Sequence, residues 1–200
     1  MDDGLSLPPP LELALAYAPA SARERWRGLL ALDRRLQRIA LGAREAVLAQ
    51  IKLAWWRERF AMPAARWPGG EPLLAALHAW EPQRAALAGL VDGWEGLVGA
   101  EADAAAVGTL VEARAQACAA LADLLGHGDA VGETLAVARI WARRDLAGRL
   151  GFGSGPPEIP PIRLPRAMRP LAVLAELARS GEGGAALRLA RAVRVGLLGR

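Results

Sequence analysis

Two hundred residues, 53% of them apolar and with a net charge of +4, suffice for one domain with a sizeable core. The single cysteine, Cys118, excludes an internal disulfide and a metal cluster built on thiolates. No uninterrupted apolar run reaches the ~18–20 residues that span a bilayer, and MDDGLSLPPP lacks the basic and apolar regions of a secretory signal. The sequence therefore reads as that of a cytoplasmic protein, at most peripheral to the inner membrane. Ala, Leu and Arg dominate while β-branched and aromatic residues are sparse, which predicts an all-α chain. The basic residues are scattered and carry no reading motif, so nucleic-acid binding is set aside.

Residues 1–10 read as a loose arm, followed by one domain over 11–200. Leu11–Tyr17 reads as a short helix before Ala18-Pro19. Ser21 is the expected N-cap of the next helix, with Glu24 in the capping-box position. Trp26, Leu29, Leu30, Asp33, Leu36, Gln37 and Ala40 then follow helical spacing, with Arg34, Arg38 and Leu41 on an adjacent stripe. Gly42 breaks the pattern, and a second helix is predicted from about Arg44 to Met62. It is apolar on two sides, through Leu48, Ile51 and Trp55 and through Leu53, Trp56 and Phe60. Such a helix belongs at the centre of its domain, so the other helices are expected to pack around Trp55-Trp56.

Pro63, Pro68 and Gly69-Gly70 mark a loop. Glu71–Trp80 reads as a short helix with Pro72 in its first turn, and Pro82 opens another to about Gly99. Gly89, Gly93, Gly96 and Gly99 recur in that helix. Each glycine inside a helix costs ~1 kcal/mol relative to Ala, which points to the close approach of a neighbouring helix or a ligand. Ala102–Leu125 is a long Ala-rich helix ended by Gly126 and Gly128, and Asp129 is placed to cap the next, to about Leu150. A Pro/Gly-rich break covers 151–165, and two final helices, Arg166–Arg179 and Gly184–Leu198, flank Ser180-Gly181.

The order of six segments carries a resemblance. They are LLALDRRLQRIAL, KLAWWRERF, LVDGWEGLV, ARAQACAALADLLG, ARIWARRDLAGRL and LPRAMRPLAVLAELA. Together they resemble squalene/phytoene synthases, and the short chain is more similar to the divergent branch that includes a respiratory complex I assembly factor. The resemblance implies a truncated helical bundle of the isoprenoid synthase type. It also implies two facing walls whose carboxylates, four residues apart on one helix face, hold Mg²⁺ against a prenyl diphosphate. The first wall corresponds to Arg34, Gln37, Arg38 and Leu41, and the second to Arg144, Asp145 and Arg149. Asp145 alone keeps a carboxylate, and Asp33 has no carboxylate opposite it.

The implied protein is non-catalytic, with no metal ligand and no catalytic residue. It binds an isoprenoid, an anionic lipid, a protein partner or an active homologue, in an assembly or accessory role. The alternative is an active prenyl transferase, with Mg²⁺ as cofactor, in carotenoid or hopanoid (terpenoid) biosynthesis. If the two walls face each other, Arg34, Arg38, Arg144 and Arg149 line the old diphosphate cavity beside Asp145. Arginine binds phosphate bidentately and stays charged. The competing reading makes these arginines surface residues, or partners of Asp33, Glu45 and Asp145.

Other features admit a plain reading beside a functional one. Trp94 with Asp92 and Glu95 lies either at a cavity mouth or on an ordinary amphipathic helix. His78 and His127 are isolated, and Cys118 reads as a small buried apolar residue. The last helix sets Arg188, Arg191 and Arg194 beside Leu187, Val193, Leu197 and Leu198. Residues 184–200 therefore suit either peripheral membrane contact or a solvated cationic face.

Overall fold

Local pattern makes the helices, and the pairing of their apolar stripes arranges them. The computed structural model describes residues 5–99, 103–150, 163–178 and 185–198, the side chains of 185–188 and 198 excepted. These residues form nine α-helices and no strand. They are α1 (Pro9–Ala16), α2 (Ala20–Gly42), α3 (Ala46–Ala61), α4 (Pro72–Ala76) and α5 (Arg84–Glu95), then α6 (Ala104–Leu124), α7 (Val131–Leu150), α8 (Arg169–Leu177) and α9 (Ala185–Leu198). Adjacency closes a ring in the order α2, α3, α5, α6, α7, α8, α1 and back to α2. Because α2 also touches α5 and α6, it runs nearest the middle, and α9 packs on α8. No helix among the described residues is long and apolar enough to cross a membrane.

The helix ends depart from expectation where proline intervenes. Pro19, extended at φ −61°, precedes α2, and its carbonyl accepts the N–H groups of Ala22 and Arg23. Ser21 therefore lies inside the first turn and is not the cap. Pro82 falls inside a 3-10 turn, His78–Gln83, that separates α4 from α5. Asp129 likewise sits within the 3-10 turn Gly128–Ala130 that leads into α7. At the end of α6, Gly126 adopts φ +79°. Its N–H reaches Asp123 O at 2.9 Å and that of His127 reaches Ala122 O at 2.8 Å, the paired bonds that close a helix on a left-handed residue. Leu7 is buried and Leu5 packs on the core, so the segment read as a loose arm is seated from residue 5 onward. Residues 1–4, Ser180-Gly181 and most of the 151–165 break lie outside the described residues.

The centre of the core is α2 rather than α3. Trp26, Trp80 and Trp94 are fully buried. Each indole N–H has an acceptor: Ala167 O at 2.8 Å, Arg25 O at 3.2 Å and Asp33 Oδ1 at 2.8 Å. On α3 the stripe of Leu53, Trp56 and Phe60 turns inward, while Val47, Leu48 and Ile51 are 62%, 50% and 61% exposed. Among the described residues α3 packs chiefly on α2 and α5, so its two-sided apolarity does not make it central. Gly93 bears out the close approach read from the α5 glycines. A Cβ there would lie 2.9 Å from Ala113 Cβ and 3.2 Å from Leu110 Cα on α6. Gly89 faces open space.

Candidate functional site

Asp33 on α2, Arg114 on α6 and Asp145 on α7 meet at one point. Asp33 and Arg114 arrive there because each stands on its helix's buried stripe, and Asp145 is half-buried beside Trp141 and Leu146. Asp33 lies between Leu29 and Leu36, and Arg114 between Leu110 and Cys118, all of them buried. The guanidinium of Arg114 donates from Nε to Asp33 Oδ1 at 3.0 Å and from Nη2 to Asp33 Oδ2 at 2.7 Å. Its Nη1 donates to Asp145 Oδ2 at 2.8 Å. The rings of Trp94 and Trp141 lie 5.1 and 5.2 Å from the guanidinium carbon, so the cation is also flanked by two indoles. Arg149, one turn beyond Asp145, donates from Nε to Asp145 Oδ1 at 2.9 Å. All four carboxylate oxygens of Asp33 and Asp145 are thus engaged.

The electrostatics follow from burial. The Arg114 side chain is 2% exposed. Burial disfavours its charge, but Asp33 and Asp145 outweigh that and hold its pKa above the ordinary arginine value. Burial likewise pushes the Asp145 carboxyl up, and Arg114 and Arg149 together bring it below the usual value. Burial pushes the Cys118 thiol up to about 12, with Asp33 adding to the effect, so this thiol is inert at neutral pH. Arg34 is lowered, first by burial and then by the charge of Arg149, with Arg38 adding; Asp145 and Asp33 act the other way. It donates to the Gln37 side-chain oxygen.

Of the residues read as ligand-binding, Arg34, Arg38, Asp145 and Arg149 share one electrostatic neighbourhood. Arg144 does not join them. Its Nη1 donates to Ala175 O on α8 at 2.9 Å, and the residue is buried. Consecutive helix residues point about 100° apart, so Arg144 and Asp145 cannot serve the same face, and four guanidinium groups do not line one cavity. Asp92 and Glu95 hold Arg57 of α3, the former at 2.6 Å, rather than a cavity mouth. His78 stacks edge-on against Trp67, with centroids 6.5 Å apart. In α9, Arg194 is exposed, Arg191 is half-buried, and the side chains of Leu187, Arg188 and Leu198 lie outside the described residues.

Arg114 is the residue the sequence reading missed. Its signal was a lone cation on the buried stripe of an Ala-rich helix, facing a lone carboxylate on the buried stripe of α2. Among the described residues, no three His, Cys, Asp or Glu side chains converge as metal ligands. An open cavity of about 340 Å³ lies where α2 gives way to α3, lined by Arg35, Arg38, Ile39, Gly42, Ala43 and Lys52 and by none of the three clustered residues. Comparison of the chain with protein-family models, curated proteins and solved structures finds no match in any of the three.

Proposed function

We propose that this chain is a non-catalytic protein of synthase-like descent, a truncated bundle of the isoprenoid synthase type. It acts by binding a prenyl diphosphate, an anionic lipid or a protein partner, in an assembly or accessory role. One observation carries the reading: the cation between Asp33 and Asp145 is the protein's own Arg114. Metal-assisted departure of a diphosphate needs carboxylate oxygens open to a divalent ion. Here both carboxylates are neutralised by a guanidinium that is part of the chain and cannot leave with a product. Arg34 supports the anion-binding half of the reading: burial and the charges of Arg149 and Arg38 disfavour its charge more than Asp145 and Asp33 favour it. A phosphate beside Arg34, Arg38 and Arg149 would be held by charge-assisted hydrogen bonds without a metal.

Calorimetry tests both halves. Pyrophosphate and geranylgeranyl diphosphate are expected to bind at low salt equally well with and without Mg²⁺, and Arg34→Gln to weaken both. Incubation with Mg²⁺ and farnesyl or geranylgeranyl diphosphate is expected to yield no condensed product. Turnover would restore the prenyl transferase reading. Absence of binding heat would remove the anion site.

A further inference from the structure

The outer corner between α2 and α3 carries a feature that the buried cluster does not explain. Leu41 at the end of α2 is 44% exposed, and Val47, Leu48 and Ile51 are more exposed still on the first turns of α3. These four aliphatic side chains share one short hairpin with an unbalanced set of charges. Positions 34 to 52 hold five cations, Arg34, Arg35, Arg38, Arg44 and Lys52, against one carboxylate, Glu45. Arg35 also pairs with Glu71 and Arg34 lies near Asp145, so Arg38, Arg44 and Lys52 carry the excess. Arg38, Arg44 and Lys52 are exposed, and Arg38 and Lys52 border the open cavity beside the corner. Val47, Leu48 and Ile51 share one face of α3 and Leu41 ends α2 across the turn; exposed aliphatic groups on one corner mark a contact site.

We propose that this corner docks on an anionic bilayer surface. Leu41, Val47, Leu48 and Ile51 enter the headgroup boundary, while Arg38, Arg44 and Lys52 meet lipid phosphates. Charge complementarity selects this occupant. A second copy of the chain would bring like cations face to face across a two-fold axis, which is repulsive. An anionic leaflet takes both the aliphatic groups and the cations, as basic amphipathic surfaces do. The inference stands whether or not Arg34 binds a diphosphate, and it concerns the α2–α3 corner, separately from the contact read at 184–200.

Vesicle flotation of the full chain tests it. Binding is expected to equimolar phosphatidylcholine and phosphatidylglycerol and not to phosphatidylcholine alone, and to weaken as salt rises. Leu48→Glu/Ile51→Glu should lower the partition coefficient at least about ten-fold, and Lys52→Glu about five-fold or more. These positions are exposed, so urea unfolding of the variants should match the parent. Leu189→Glu/Leu197→Glu on α9 should leave partitioning unchanged. Failure to float, equal binding to both vesicles, or loss through the α9 variant in place of the α3 variant would each overturn the proposal. So would a dimer in sedimentation that Leu48→Glu/Ile51→Glu dissociates.

Discussion

Replacing Arg114 with methionine tests the buried cluster directly. Methionine keeps an apolar stem between Trp94 and Trp141 and removes the charge. Asp33 then loses two of its hydrogen bonds and its counter-ion in a site where it is 5% exposed. Removing one partner of a buried pair costs about 3–5 kcal/mol, because the other charge is left without compensation. Against a total stability of roughly 5–15 kcal/mol, that is a large fraction, and it corresponds to a drop in Tm of roughly 6–20 °C for a chain of this size. Urea titration followed by the fluorescence of the seven tryptophans reads it out. Asp33→Asn and Asp145→Asn, added to Arg114→Met, should recover most of the loss. The amide introduced at position 33 would still offer an oxygen to the Trp94 N–H. The reasoning is refuted if Arg114→Met alone costs under about 1 kcal/mol, or if the neutral triple variant is no more stable than the single one.

The two α5 glycines should respond with opposite signs. Gly93→Ala drives a Cβ to 2.9 Å from Ala113 Cβ and should destabilise by about 1–3 kcal/mol. Gly89→Ala meets nothing within 4 Å and should stabilise by up to about 1 kcal/mol; chemical denaturation distinguishes them. The pH dependence of stability should carry a contribution from Asp145. Its folded pKa lies below the ordinary 3.8, so the stabilisation is full above about pH 4 and is lost as pH falls through the lowered value. Asp145→Asn should flatten the acid limb of a stability–pH curve. Glu112, hydrogen-bonded to Arg139 and brought to about 2, is 45% exposed. Solvent screens that pair, so Glu112→Gln should flatten the limb less. Trp26→Phe loses the 2.8 Å bond to Ala167 O and leaves a buried carbonyl short of a donor, a cost of about 1–3 kcal/mol by thermal denaturation.

The sequence by itself determined the all-α class and most helix spans, because spacing, propensity and Gly/Pro punctuation act within a few residues. Gly42 and Gly126 end helices where the sequence places the breaks. Gly93 is a close-approach glycine, as the sequence suggested, although its neighbours Ala113 and Leu110 were legible only in three dimensions. Prolines 19 and 82 shifted helix starts by a few residues, since a fixed φ favours an extended entry or a 3-10 turn over a side-chain cap. Tertiary structure alone decided which of the two apolar stripes of α3 turned inward. It also gave Asp33 its counter-ion from 81 positions away, and it turned Arg144 to α8 while its neighbour Asp145 faced α6. The physical reason is common to all three. A helix's rotation about its axis is set by what it packs against, and a buried charge is defined by partners that distant helices bring to it.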